Sequence, residues 1–202
     1  MRLLPTILAA SLATTGLAAD LEPPTQLRVE IDGKAYTTTA GATVEVDLDG
    51  RKARLRVEEL PWRRFSQERL QFDYPRHFPW ASDPSTPRSW TLDGNDALIM
   101  VVDNQAPRRK PGAVAEAIEQ AIAPGKRPRR TTTVLSTEKG GTLTGIRSML
   151  ELAGNGFSNE VFALEREDSA WLLVLQDSLG EDGGHSREYV EMRERLAATL
   201  EF

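Results

Sequence analysis

Leu27, Val29 and Ile31 alternate with polar residues, and the same two-residue period returns at Val44, Val46 and Leu48 and at Ala53, Leu55 and Val57. A period of two places each apolar set on one face of a half-buried strand. Asp32-Gly33 and Asp49-Gly50 stand between these runs, and Asp-Gly supplies the positive backbone angles of tight hairpin turns. Residues 20–60 are therefore expected to contain a small antiparallel β-meander. Roughly forty residues rarely bury enough apolar surface to fold alone, so the meander is expected to pack on the rest of the chain or to be completed by a partner.

Leu60-Pro61-Trp62 marks the boundary to a main domain over residues 61–202. Leu70, Phe72 and Tyr74 alternate until Pro75 ends the strand. Arg76 to Arg88 is rich in proline and serine and reads as a long surface loop. Another strand begins over Ser89 to Leu92, and Asp93-Gly94-Asn95 turns the chain into Ala97 to Val102, an unbroken apolar run of the kind buried on both faces. Val114, Ala117, Ile118, Ala121 and Ile122 then fall on one side of a helix, with Glu116, Glu119 and Gln120 facing away. Pro111 suits its first turn and Pro124-Gly125 ends it. Strands are expected around Thr131 to Ser136, Leu143 to Leu152, Glu160 to Glu165 and Ala170 to Gln176. A last helix follows Ser186 as N-cap, with Tyr189, Met192, Leu196 and Leu200 inward. The expected fold class is α+β: an antiparallel sheet with helices over both faces, an α/β/α sandwich.

The order of these motifs resembles a known family. Phe72-Asp73-Tyr74-Pro75, then Trp90-Thr91-Leu92-Asp93-Gly94, an apolar strand and a helix, is similar to the opening of the PsbP-like superfamily. Glu160-Val161-Phe162-Ala163-Leu164, Trp171-Leu172-Leu173-Val174-Leu175 and the terminal helix fit its later half. The superfamily is named for a photosystem II extrinsic protein and includes a yeast Ran-binding protein, bacterial exported proteins and chaperones for secreted effectors. The resemblance covers about residues 65–202 and implies an α/β/α sandwich used for binding and assembly. No residue role is carried over from it, because none of the matching motifs is catalytic.

The N-terminus changes the picture of compartment. Arg2, an uncharged apolar stretch from Leu3 to Ala13, and small residues at Gly16-Leu17-Ala18-Ala19 form the three parts of a signal peptide. Residues 1–19 are expected to be removed by cleavage near Ala19, leaving a periplasmic or secreted protein. No later stretch is apolar enough to span a membrane. The chain has no cysteine, so packing rather than disulfides holds it together, and thiolate zinc sites are excluded. With 25 Lys and Arg against 30 Asp and Glu, the charge balance speaks against nucleic acid as a partner.

Chemistry is thin. There is no Gly-x-Ser-x-Gly elbow, Walker loop or dinucleotide fingerprint, so no catalytic residue, cofactor or metal is assigned. The loop from Asp177 to Ser186 carries Asp177, Glu181, Asp182 and His185 between glycines but lacks EF-hand spacing, and reads as a solvated turn before a helix. His77, the other histidine, reads as packing beside aromatics. Arg108, Arg109 and Lys110 before the first helix, with Arg127 and Arg130 after it, are candidate contacts for an anionic partner. Trp80, a large aromatic in a proline-rich loop, is a further candidate. These features fit an exported, non-catalytic binding or assembly module of the bacterial envelope, whose partner is a protein or anionic envelope component. A periplasmic carrier or sensor of a small ligand is the alternative, and a hydrolase with dispersed carboxylates ranks third.

Overall fold

The computed structural model describes residues 26–105, 107–139 and 141–202. The expected signal peptide and its cleavage near Ala19 lie outside the described residues. The chain divides into two units, Met1–Glu59 and Leu60–Phe202.

In the first unit, β1 (Gln26–Ile31) pairs antiparallel with β2 (Lys34–Thr39), and β3 (Thr43–Leu48) with β4 (Arg51–Arg56). Both hairpins turn on Asp-Gly, with φ of 48° and 77° at Asp32 and Gly33 and 52° and 80° at Asp49 and Gly50. Two successive positive angles are what a two-residue hairpin turn needs to match strand twist. The strands form two separate two-stranded sheets rather than one meander. The Tyr36 hydroxyl joins them by donating to the Asp47 carbonyl at 2.9 Å. β2 escaped the periodicity because Lys34-Ala35-Tyr36-Thr37-Thr38-Thr39 carries no apolar alternation.

The second unit is built on a seven-stranded antiparallel sheet. Its elements in chain order are β5 (Trp62–Gln67), β6 (Leu70–Pro75), β7 (Trp80–Asp83), β8 (Ser89–Asp93), β9 (Ala97–Asp103), α1 (Pro111–Ile122), β10 (Arg129–Thr137), β11 (Gly141–Leu152), β12 (Asn155–Glu165), β13 (Ala170–Ser178) and α2 (Arg187–Thr199). The sheet order is β10-β11-β12-β13-β9-β8-β7, and β5 pairs with β6 as a separate hairpin. On one face Ile99, Phe162, Leu164 and Leu173 pack against Phe65, Leu70 and Phe72 of that hairpin and Met192 and Leu196 of α2. On the other, Ala115 of α1 packs on Val161, Leu172 and Val174.

This corrects the expected α/β/α sandwich. The described chain is mostly β, with only two helices, of 12 and 13 residues. The main core is closed by the β5–β6 hairpin together with the single helix α2, and the other face carries only the small cluster under α1, so the helices do not form two covering layers. The run Ala97 to Val102 explains the error. Ala97, Ile99 and Val101 are buried, whereas Leu98, Met100 and Val102 are only half-buried, so apolar continuity overstated the cover on the second face. The inward side of α1 is also turned: Glu119 is buried with Ala115, while Ala117 and Ala121 are exposed. The stretch read as one long loop contains β7, the short edge strand beyond β8.

Candidate binding surface

Arg108, Arg109 and Lys110 lead into α1 with their side chains exposed. Buried Asn104 fixes their backbone: its Oδ1 accepts from the Arg109 N–H at 2.8 Å, and its Nδ2 donates to the Arg109 carbonyl at 3.1 Å. Lys110 occupies the N-cap without a side-chain cap, and Pro111 follows. At about 1.5 Å rise per residue, α1 holds this group roughly 18 Å from the cations after its C-terminus. The two clusters therefore flank the helix as separate patches.

Beyond α1 the cations differ in availability. The Arg130 guanidinium pairs with both oxygens of buried Glu119, tying β10 to the helix. Lys126, Arg127 and Arg129 have no ion-pair partner among the described residues, and they line an open groove of about 840 Å³. Leu150, Glu151, Gly154, Gly156, Leu179 and Glu181 complete its walls. The β11–β12 turn, Ala153 and Gly154 at φ 52° and 86°, and the loop after β13 shape its rim.

Trp80 opens β7 and is 44% exposed. Its ring lies 5.8 Å from that of buried Phe65, so one side rests on the core while the other meets solvent. Trp90 is buried, edge-on to Phe65 at 6.0 Å.

Both histidines fasten the start of α2. His77 Nε2 lies 2.6 Å from Glu188 in the first turn. Glu188 Oε2 also accepts the N–H groups of Asp96 and Ala97 at 2.6 and 2.9 Å. Burial works against its charge, but these donors outweigh burial and hold the carboxyl below its ordinary value. His185 Nδ1 lies 2.6 Å from buried Asp177, and its ring stacks on Tyr189 at 4.7 Å. Of the loop acids, Asp177 thus belongs to the interior, while Asp182 accepts the Gly184 N–H at 2.9 Å in an exposed turn. Among the described residues no three His, Asp or Glu side chains converge as a metal-ligand set.

The largest surprise is Glu160. Fully buried on β12, it accepts from Thr133 Oγ1 at 2.7 Å, from Arg147, and from Arg193 Nε at 3.0 Å. Desolvation raises its pKa, yet Thr133, Arg147 and Arg193 together hold it below the ordinary carboxylate range. Burial first, and the Glu160 charge second, push the Tyr189 phenol well up. Its Oη is buried without a well-aligned hydrogen bond. Arg147, His185, Tyr189 and Arg193 line a cleft of about 180 Å³ above this cluster. The signal for Glu160 was present in the chain: it shares strand parity with Phe162 and Leu164, so a carboxylate interrupts an inward apolar face. A second staple joins Asp73 to Arg64 at 2.8 Å and to Arg195 at 2.5 Å.

Among the described residues no helix is long and apolar enough to cross a membrane. No protein-family model matches the chain, and no curated protein matches it. A solved structure, that of LpqN "involved in cell envelope biogenesis of Mycobacterium tuberculosis", aligns over 90% of this chain and 93% of its own, at 9% sequence identity and a TM-score of 0.30. A likeness at that level assigns neither fold nor function to this chain.

Proposed function

We propose that the chain is an exported, non-catalytic binding or assembly module of the bacterial cell envelope, and that its partner is a protein presenting an acidic segment. The observation that carries this reading is the groove lined by Lys126, Arg127 and Arg129, three cations without ion-pair partners among the described residues. Such cations attract an anionic partner and speed its approach. The buried carboxylates support the non-catalytic part. Glu160, Asp73, Glu119 and Glu188 are each held by guanidinium, imidazole or backbone donors, which leaves them as staples between elements rather than as open acids and bases. The test is capture of envelope proteins by the full chain and by a variant with Lys126, Arg127 and Arg129 changed to Gln. The variant is expected to lose a salt-sensitive protein partner. Equal capture by both, or capture only of an anionic polysaccharide, overturns the reading.

A specific observation favours the small-ligand carrier as a second reading. The 180 Å³ cleft is lined by Arg147 of β11 and by Tyr189, Val190 and Arg193 of α2, and the Tyr189 hydroxyl is buried without a well-aligned hydrogen bond. Native mass spectrometry of protein from its own host checks it, since a carrier retains a small molecule that Tyr189→Phe releases.

A further inference from the structure

β10 is the last strand of the seven-stranded sheet. Among the described residues its one strand partner is β11, in register from Arg129↔Met149 to Thr137↔Gly141. The outer row of its backbone donors and acceptors therefore faces no strand among the described residues. Natural sheets blunt such edges with short strands, prolines or covering elements, because an open edge is a template for another chain.

The two edges of this sheet are treated differently. β7, at the other edge, has four residues, follows Pro79, includes Asp83 and runs into Pro84 and Pro87. β10 also follows a proline, Pro128, and opens on Arg129 and Arg130, but it has nine residues, no proline within the strand and no acid, and carries the β-branched run Thr131 to Val134. Those residue types suit a strand that is paired. The C-terminal half of β10 is tied down by α2: Arg193 Nη2 donates to the Val134 carbonyl at 2.6 Å, and just past the strand Glu138 N–H donates to the Ala197 carbonyl at 3.1 Å. Over Arg129 to Thr133, the backbone makes no hydrogen bond outside its pairing with β11 among the described residues, and all but Thr133 are exposed. Val134, 48% exposed, leaves an apolar step at the end of this open stretch.

Charge selects the occupant. Arg129 begins the strand, and Lys126 and Arg127 stand just before it, all three without an ion-pair partner among the described residues. Two copies of this edge brought together would face each other without a single acidic residue between their strands. An incoming strand with acidic side chains meets these cations favourably.

We propose that the open half of β10, Arg129 to Thr133, is a docking edge that accepts an extended acidic segment of a partner protein as an eighth strand of the sheet. In this mode main-chain hydrogen bonds hold the segment, and alternate side chains reach the cations on one side and Val134 on the other. The proposal rests on the reading of an acidic protein partner and adds how that partner is held.

The probe is a blocked decapeptide that alternates Glu with Thr and Val, titrated into the full chain and followed by anisotropy and amide hydrogen exchange. Binding is expected to slow exchange at least tenfold at alternate amides of Arg129 to Thr133, those not already bonded to β11. N-methylation of the peptide at alternate positions is expected to weaken it at least tenfold. If the N-methylated peptide binds equally well and no β10 amide is protected, strand addition is wrong while the charge-based reading stands. If the protein with Lys126, Arg127 and Arg129 changed to Gln binds the original peptide unchanged, the underlying reading fails. Absence of any peptide binding, or protection of the same amides by self-association without peptide, overturns the docking edge. Every perturbation but one is made in the peptide, so misfolding of the protein does not obscure the result.

Discussion

Replacing Glu160 with Gln probes the joint that locks four elements together. One carboxylate on β12 accepts from Thr133 on β10, Arg147 on β11 and Arg193 on α2. The amide keeps the shape but loses the charge, and it turns an N–H₂ group toward at least one existing donor. Removing one partner of a buried ion pair costs about 3–5 kcal/mol. The Arg147 and Arg193 side chains retain 30% and 26% exposure. Both guanidiniums can therefore swing toward water, which places the cost near the low end, about 3 kcal/mol. For a domain of this size that lowers Tm by roughly 6–12 °C. The pH dependence has a definite sign. The folded carboxyl is held below its ordinary value, so its contribution is complete above the unfolded value of about 4.3 and is lost as pH falls through the lower folded value. Gln has no such titration. Urea unfolding followed by circular dichroism should show a wide gap between wild type and Glu160→Gln near pH 7 that narrows steadily below pH 4.3. A gap under about 0.5 kcal/mol near neutrality, the scatter of ordinary surface substitutions, or one that stays constant into strong acid, refutes the reasoning.

Two further substitutions test the sheet itself. Gly145 lies in β11, where an added Cβ would overlap the Val161 carbonyl oxygen and stand 2.6 Å from the Phe162 ring; Gly145→Ala should cost about 2–3 kcal/mol in the same unfolding assay, and a neutral outcome would mean the two strands separate easily there. Ala153 holds a left-handed φ of 52° ahead of Gly154 in the β11–β12 turn; Ala153→Asn, which favours that conformation, should stabilise by about 0.5–1 kcal/mol, read as a rise in Tm.

Local physics made much of the secondary structure legible. Alternation at Leu27, Val29 and Ile31 produced β1, and Asp32-Gly33 produced its turn. Ser186 caps α2 as expected, its side chain accepting the Tyr189 N–H at 3.1 Å. Tyr189, Met192, Leu196 and Leu200 are buried, as helical spacing required. The strands that escaped were those without the pattern. In β5 the apolar residues Trp62 and Phe65 stand three apart, and β7 is a short, wholly exposed edge. Such strands form because a neighbour offers them hydrogen bonds, and periodicity does not record a neighbour.

The basic clusters show the same limit. Arg127 and Arg130 are equivalent as letters, yet the fold commits Arg130 to Glu119 and leaves Arg127 on the groove. The chain by itself determined that most strands and both helices are present and roughly where they lie, because turn chemistry, caps and apolar spacing act over a few residues. Tertiary structure alone decided that β9 lies beside β13, that a hairpin and α2 close the main core, that Glu160 meets Arg193 of α2 as well as its cross-strand neighbour Arg147, and that β10 is left as an edge among the described residues. Those outcomes depend on which strand pairs with which across long stretches of chain, a choice set by the total burial of the assembled sheet and invisible to any single segment.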